Sequence, residues 1–248
     1  MNIIKDLADK TMTEEKRKQA KNDFFAYYIG RPLSYVLTVP FLKLKIKPNT
    51  ISFISIIPVI VGFFMIGFGC DMLIKIVGWC MFFLWNLLDG VDGNVARYTK
   101  QFSKVGSLWD ATSGYIAMFL TYVAMGTGCY YGNFTVLSID QALMITFGGL
   151  SGILAIFPRL VMHKRINSLG QDESSNSMKD KNTYGFLKIV CLNLVSTAGL
   201  IQVIMLLSII FRIMDIFTCV YFIINLLICI GSLKKLLEEP KEKREGEV

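Results

Sequence analysis

Three aspartates stand where an apolar chain has little room for them. In the stretch LLDGVDGNVARYTKQFSKVGSLWDATSG, Asp89 and Asp92 close one apolar run and Asp110 opens the next. Asp89 and Asp92 are three residues apart, which on a helix sets both carboxylates on one face, one turn from each other. Two adjacent anions resist joint ionisation unless a cation lies between them. Three hard oxygen donors beside a connection that holds Arg97, Lys100 and Lys104 favour Mg²⁺, Mn²⁺ or Ca²⁺, and no thiol or imidazole cluster suggests zinc. The same residues have a structural use, in which Arg97 and the lysines neutralise the carboxylates as salt bridges. The glycines separate the two readings. Gly90, Gly93, Gly106 and Gly114 occupy the same stretch, and glycine permits close approach of a backbone, a helix or a ligand. A salt-bridge cluster has no use for that space. A nucleotide diphosphate held by metal does, and the chemistry it suggests is phosphoryl transfer.

The elements that position these residues are membrane helices. The 248-residue chain is 53% hydrophobic and 18% charged, and its mean hydropathy is +0.50. A soluble domain carries about a quarter of its residues charged, so soluble, disordered and disulfide-scaffold classes are excluded. The runs 51–70, 111–139, 141–158, 189–211 and 216–233 hold no charged residue. A bilayer core of about 30 Å takes roughly 20 helical residues, so each of these is a candidate span. A sixth run, 76–88, has only thirteen residues, and crosses only if its helix continues through Asp89 and Asp92. An ionised Asp near mid-membrane costs about 2.5 to 3.5 kcal/mol on insertion scales and less toward the interface, so an interaction must offset it.

The expectation is an all-α integral membrane protein of six transmembrane helices with an N-terminal amphipathic interfacial helix. Residues 1–47 form that interfacial segment, 48–235 the membrane domain and 236–248 a charged tail. Every Lys and Arg except Lys75 and Arg212 falls in the segments that six spans leave on the side of the termini, which places the termini and the aspartates in the cytoplasm. The net charge of +7 thus reads as topology and lipid headgroups, and no nucleic-acid partner is expected. The first 47 residues lack a continuous apolar region, so no cleavable signal is expected. Phe24, Phe25, Tyr27, Tyr28, Leu33, Tyr35, Val36, Val39 and Phe41 among basic neighbours suit a helix lying in the interface, with a break near Gly30-Arg31-Pro32. The six cysteines are scattered singly and read as packing residues.

The string Asp89-x-x-Asp92-Gly93-x-x-Ala96-Arg97, eight residues, Gly106, three residues, Asp110 resembles the signature of the CDP-alcohol phosphotransferases (CDP-alcohol phosphatidyltransferases). Pro48-Asn49-x-x-Ser52 at the first span, the amphipathic start and the six-span layout extend the resemblance over nearly the whole chain. It implies an enzyme that transfers the substituted phosphate of a CDP-linked alcohol, usually CDP-diacylglycerol, to the hydroxyl of an acceptor alcohol and releases CMP, in phospholipid or lipid-linked polymer synthesis. Carried over by position, Asp89, Asp92 and Asp110 would hold Mg²⁺ or Mn²⁺. Asn49, Ser52, Gly93, Ala96, Arg97 and Ser103 would surround the cytidine nucleotide. Arg159, Lys164 and Arg165 stand where relatives that use a phosphorylated acceptor grip its phosphate, and the positive-inside pattern explains these three equally well. Membrane lipids and a second copy in a homodimer are the partners the resemblance implies, and a bacterial cell membrane is the expected location. Glycerol phosphate, inositol phosphate, serine and a capsule-type polyol are all compatible acceptors.

One position departs from the signature. The family places a fourth aspartate four residues after Asp110, as second-metal ligand and proposed base, and here that position is Gly114. General-base assistance is typically worth about 10²- to 10⁴-fold. Three readings stand: a working enzyme with another base, Asp110 or a metal-held water; a relative that binds nucleotide or lipid without turnover; or an altered copy. His163, the single histidine, reads as interfacial, and Arg212 and Asp215, three residues apart, read as a local pair.

Overall fold

The structure, a computed structural model, describes residues 3–170 and 193–238. These form α1 (Ile3–Thr11), α2 (Glu14–Ala20), a π-helical turn (Ala26–Gly30), α3 (Arg31–Lys43), α4 (Pro48–Phe68), α5 (Met72–Thr99), α6 (Lys104–Gly128), α7 (Gln141–Leu169), α8 (Leu200–Ile210) and α9 (Met214–Leu237). No strand occurs among the described residues.

Four helices are long and apolar enough to cross a membrane: α4, α5, residues Gln141–Ser168 of α7, and α9. The short run 76–88 is part of a longer helix, since α5 continues through both aspartates to Thr99 and its 28 residues rise about 42 Å, enough to cross. Six spans were expected, and the other two differ from these four. α6 has the length, at 25 residues, but carries Lys104, Asp110 and a series of Ser, Thr and Gly. α8 has the composition but only 11 residues, about 16 Å of rise. The expected run for that span began at residue 189, and 189–192 lie outside the described residues.

Glycine contacts set the helix spacing. A Cβ on Gly62 of α4 would stand 2.7 Å from the Gly78 carbonyl of α5, and one on Gly126 of α6 would stand 2.4 Å from the Met144 carbonyl of α7. Backbone cannot retreat as a side chain can. Gly126→Ala is therefore expected to destabilise the fold by about 1 to 3 kcal/mol, as overpacking does, read as a lower midpoint of thermal unfolding in detergent; an unchanged midpoint would show that α6 and α7 can part at no cost. The main apolar core joins Val59, Ile66, Phe82, Trp85, Met118, Met125, Met205 and Tyr221. Both α5 and α6 pack along α4, yet they scarcely touch each other.

The N-terminal segment buries polar groups beside Leu37, Phe41 and Leu42, which pack on the core. α3 buries Ser34 and Thr38 against α5, where Asn94 Nδ2 donates to Ser34 Oγ (3.3 Å) and Thr38 Oγ1 (3.2 Å). A Cβ on Gly90 would stand 2.9 Å from Ser34 Cβ, so this glycine lets α3 settle onto α5. Turned outward are Tyr28, Leu33, Val36 and Leu44, the last 71% exposed. Water does not favour burying hydroxyls while exposing such groups, and a lipid interface does. The expected break at Gly30-Arg31-Pro32 is a change of winding instead: Gly30 keeps helical angles, and the π turn runs directly into α3 with Pro32 in its first turn, where a missing N–H costs nothing. α1 docks on the end of α5 through Tyr98, whose hydroxyl donates to Asp6 Oδ2 at 2.8 Å. The Lys10 ammonium, 2.9 Å from Asp6, and that hydroxyl hold the Asp6 carboxyl below its usual range. The latch is thus present at neutral pH and lost as pH falls through the depressed value.

At the end of the bundle opposite the aspartates, Lys75 is fully buried. Its Nζ donates to the carbonyls of Ile66 (2.6 Å) and Gly128 (3.2 Å) and lies 4.7 Å from the centre of the Phe134 ring. The local pair expected of Arg212 and Asp215 does not form. Asp215 accepts the amides of Val136 (2.8 Å), Leu137 (2.6 Å) and Ile216 (2.9 Å), while Arg212 lies over the other partner of Lys75, the Phe134 ring, at 5.4 Å. A carboxylate satisfied by three backbone amides has no need of the guanidinium.

Candidate functional site

The gap left between α5 and α6 is a cavity of about 450 Å³, within the range of small-molecule sites. α5 contributes Asp89, Asp92, Gly93, Ala96 and Arg97, α6 contributes Gly106 and Asp110, and α4 contributes Asn49 and Ser52. Ser103, at the start of α6, completes the set. All three predicted metal ligands and all six predicted nucleotide neighbours therefore line one space.

Local chemistry explains how they are held. α5 stops where Lys100 adopts the left-handed conformation (φ 56°), its amide bonded to Ala96 O. α6 starts on Ser103, whose Oγ accepts the Gly106 amide at 2.9 Å, an N-cap. Asn49 Nδ2 donates to the same Oγ at 3.3 Å, and a Cβ on Gly106 would stand 2.7 Å from Asn49 Oδ1. The glycine of the signature is thus what lets the first turns of α4 and α6 meet. Asp92, 5% exposed, accepts the Ser52 hydroxyl. The Arg97 guanidinium lies over Gly93, where a Cβ would stand 2.9 Å from Nη2, and donates to Asn94 Oδ1 at 3.3 Å.

The salt-bridge reading is not what the side chains do. Among the described residues no Lys or Arg comes within 4.0 Å of Asp89, Asp92 or Asp110, and the ion pair that does form is Lys10 with Asp6. The three carboxylates have oxygen donors suited to a hard divalent cation and, among the described residues, no Lys or Arg in direct ion-pair contact, so their chemistry suits a metal. Their spacing is open: among the described residues no three His, Cys, Asp or Glu groups gather closely enough to form a ligand set.

Other predicted positions lie apart from the cavity. A Cβ on Gly114 would meet nothing within 4 Å. Its neighbour Ser113 is buried, accepts Trp85 Nε1 at 2.9 Å and shares a 2.8 Å bond with Ser55. Arg159 and Lys164 are exposed on α7. Arg165 is turned into the bundle, where Nη1 donates to the carbonyls of Leu236 and Glu238 at the end of α9. His163 meets the Tyr115 hydroxyl at 3.5 Å, at the distance limit of a hydrogen bond.

Asn86, one turn before Asp89 and expected either to line the pocket or to pack helices, does both: it lines the wall and donates to Ala198 O at 3.1 Å. Two lining residues escaped the sequence reading, Arg31 and Ser34 of the N-terminal segment. The signal for Arg31 was its place in the Gly30-Arg31-Pro32 interruption; for Ser34 there was none beyond polarity.

A comparison with curated proteins finds no match. The chain does match the family model described as CDP-alcohol phosphatidyltransferase over residues 45–223, well over half its length, from just before Asn49 to within α9. That stretch contains the α4, α5 and α6 residues that line the cavity, and the protein belongs to the CDP-alcohol phosphatidyltransferase family.

Proposed function

We propose that this protein transfers the substituted phosphate of CDP-diacylglycerol or a similar CDP-linked alcohol to an acceptor alcohol, releasing CMP, in phospholipid or lipid-linked polymer synthesis. The family is one of transferases that act on CDP-alcohols and generally depend on divalent metal. The observation that carries the reading for this chain is the meeting of Asp89, Asp92, Asp110 and Arg97 around one cavity where, among the described residues, no cation is ion-paired with the carboxylates.

In the reaction the acceptor oxygen bonds to the phosphorus that bears the donor alcohol, the bond from that phosphorus to the CMP oxygen breaks, and the acceptor proton leaves to a base. Mg²⁺ or Mn²⁺ held by Asp89, Asp92 and Asp110 would neutralise the diphosphate charge. Ser52 fixes the Asp92 carboxylate, Arg97 offers guanidinium donors, and Gly93 and Ala96 leave room for the nucleotide between α5 and the Asn49–Ser103 contact. Arg159 and Lys164, exposed at the end of α7, are the groups free to meet an acceptor phosphate, whereas Arg165 is engaged with α9. We assign α6 and α8 as the remaining two of six spans, with α3 in the interface and the cavity facing the cytoplasm of a bacterial cell; the distribution of Lys and Arg and the exposed apolar residues of α3 support this.

A second reading, a protein that binds the nucleotide and turns it over poorly, is favoured by the empty space beside Gly114, where no carboxylate stands. Purified protein given Mg²⁺ or Mn²⁺, labelled CDP-diacylglycerol and a panel of acceptor alcohols is expected to release CMP. No release above background with any acceptor would sink the transferase reading.

A further inference from the structure

The cavity has a basic wall to which the N-terminal segment contributes. Arg31 opens α3 and lines the space together with Arg97. The two guanidinium groups border one cavity, where like charges cost energy unless an anion joins them. Neither has one: among the described residues no carboxylate lies within 4.0 Å of either. Arg97 leaves its buried Nε without any hydrogen-bond partner. The partner of Arg31 is a poor one, the thioether of Met12, 3.4 Å from Nη1. A guanidinium carries five donors in a planar fork matched to phosphate oxygens, so here two forks with unspent donors border one cavity. Across that cavity stand the carboxylates of α5 and α6.

We propose that Arg31 is a phosphate-binding residue of this cavity, acting with Arg97 as a two-guanidinium clamp on a diphosphate, with the Met12 thioether as the weak partner it gives up when the anion enters. The proposal rests on the nucleotide reading above and adds to it a residue outside both the signature and the matched stretch 45–223. It also gives the N-terminal segment a part in ligand binding, since α1 ends beside Met12 and is latched to α5 at Tyr98, next to Arg97.

The test uses the full chain in detergent with Mg²⁺, titrated calorimetrically with CDP and, separately, with inorganic pyrophosphate. Losing a charged hydrogen bond to phosphate corresponds to about a 10- to 100-fold weaker affinity, and Arg31→Ala is expected to show that loss for both probes. Arg31→Lys, which keeps charge but not the fork, should recover part of it at an unchanged thermal midpoint, and this variant decides the matter where the alanine protein unfolds. Met12→Ala should bind CDP as tightly as the natural protein or more so. Wild-type affinity in both Arg31 variants overturns the clamp and leaves the nucleotide reading standing. Pyrophosphate binding that depends on Arg31, without CDP binding, keeps the clamp and overturns the nucleotide reading. Binding of neither probe by the natural protein overturns both.

Discussion

Replacing Gly114 by Asp is expected to speed CMP release by about 10²-fold or more, the lower range of what a positioned general base supplies. Gly114 lies one helical turn beyond Asp110 on α6, so a carboxylate there projects from the same face, one turn deeper. The position accepts it without rearrangement, because a Cβ meets nothing within 4 Å and the backbone is already helical. The acids that line the cavity are Asp89, Asp92 and Asp110. If all three are engaged with metal, none is left as a dedicated proton acceptor, and the added carboxylate fills that role. Initial rates of CMP release with saturating donor are the measurement, with Gly114→Asn as the companion variant that matches size and polarity but cannot take the proton. A Gly114→Asp protein that folds and turns over at the natural rate would show that a base is already in place, and equal gains from Asp and Asn would assign the effect to packing.

Asp92→Asn should act in the opposite direction: loss of Mg²⁺- or Mn²⁺-dependent CDP binding and a fall in turnover on the order of 10³-fold or more. Metal stabilisation of a phosphoryl group is worth several kcal/mol, and each 1.36 kcal/mol is about tenfold in rate. Asp92 is the most buried of the three carboxylates and is oriented by Ser52. Asparagine keeps the shape and still accepts that hydroxyl, so the change isolates the charge. Without metal the variant should unfold at the same temperature as the natural protein or higher, because one of three neighbouring anions is gone. Metal-dependent CDP binding retained at natural strength would remove Asp92 from the ligand set.

Much of this was legible in the sequence for a physical reason: a charge inside a membrane helix is costly, so Asp89, Asp92 and Asp110 stand out against their neighbours. The same cost told that the thirteen-residue run had to continue through its aspartates, and α5 does so. Less legible was anything set by a partner distant in sequence. Arg165 resembles an acceptor ligand until its contacts with the end of α9 are known, and Lys75 resembles an ordinary loop charge until two helix ends and a ring enclose it. The clamp residue Arg31 was hidden because its neighbours mark an interfacial helix, and nothing local says that α3 presents Ser34 and Thr38 to α5. The uncharged run 111–139 reads as a span, but α6 starts earlier, at Lys104, and its Ser, Thr and Gly residues dilute the apolar signal of the helix, which is not among the four long apolar ones.

The way α5 and α6 lean on α4 while touching each other little has a mechanical consequence. A bundle normally gains rigidity from each pair of adjacent helices, and here one pair, joined by the Trp85–Ser113 and Lys75–Gly128 bonds, makes little other contact and borders the cavity instead. A cation held in the gap by Asp89 and Asp92 on one helix and Asp110 on the other would act as a brace between them. Occupancy would then stiffen the protein as well as fill it, and emptying the gap would loosen its walls.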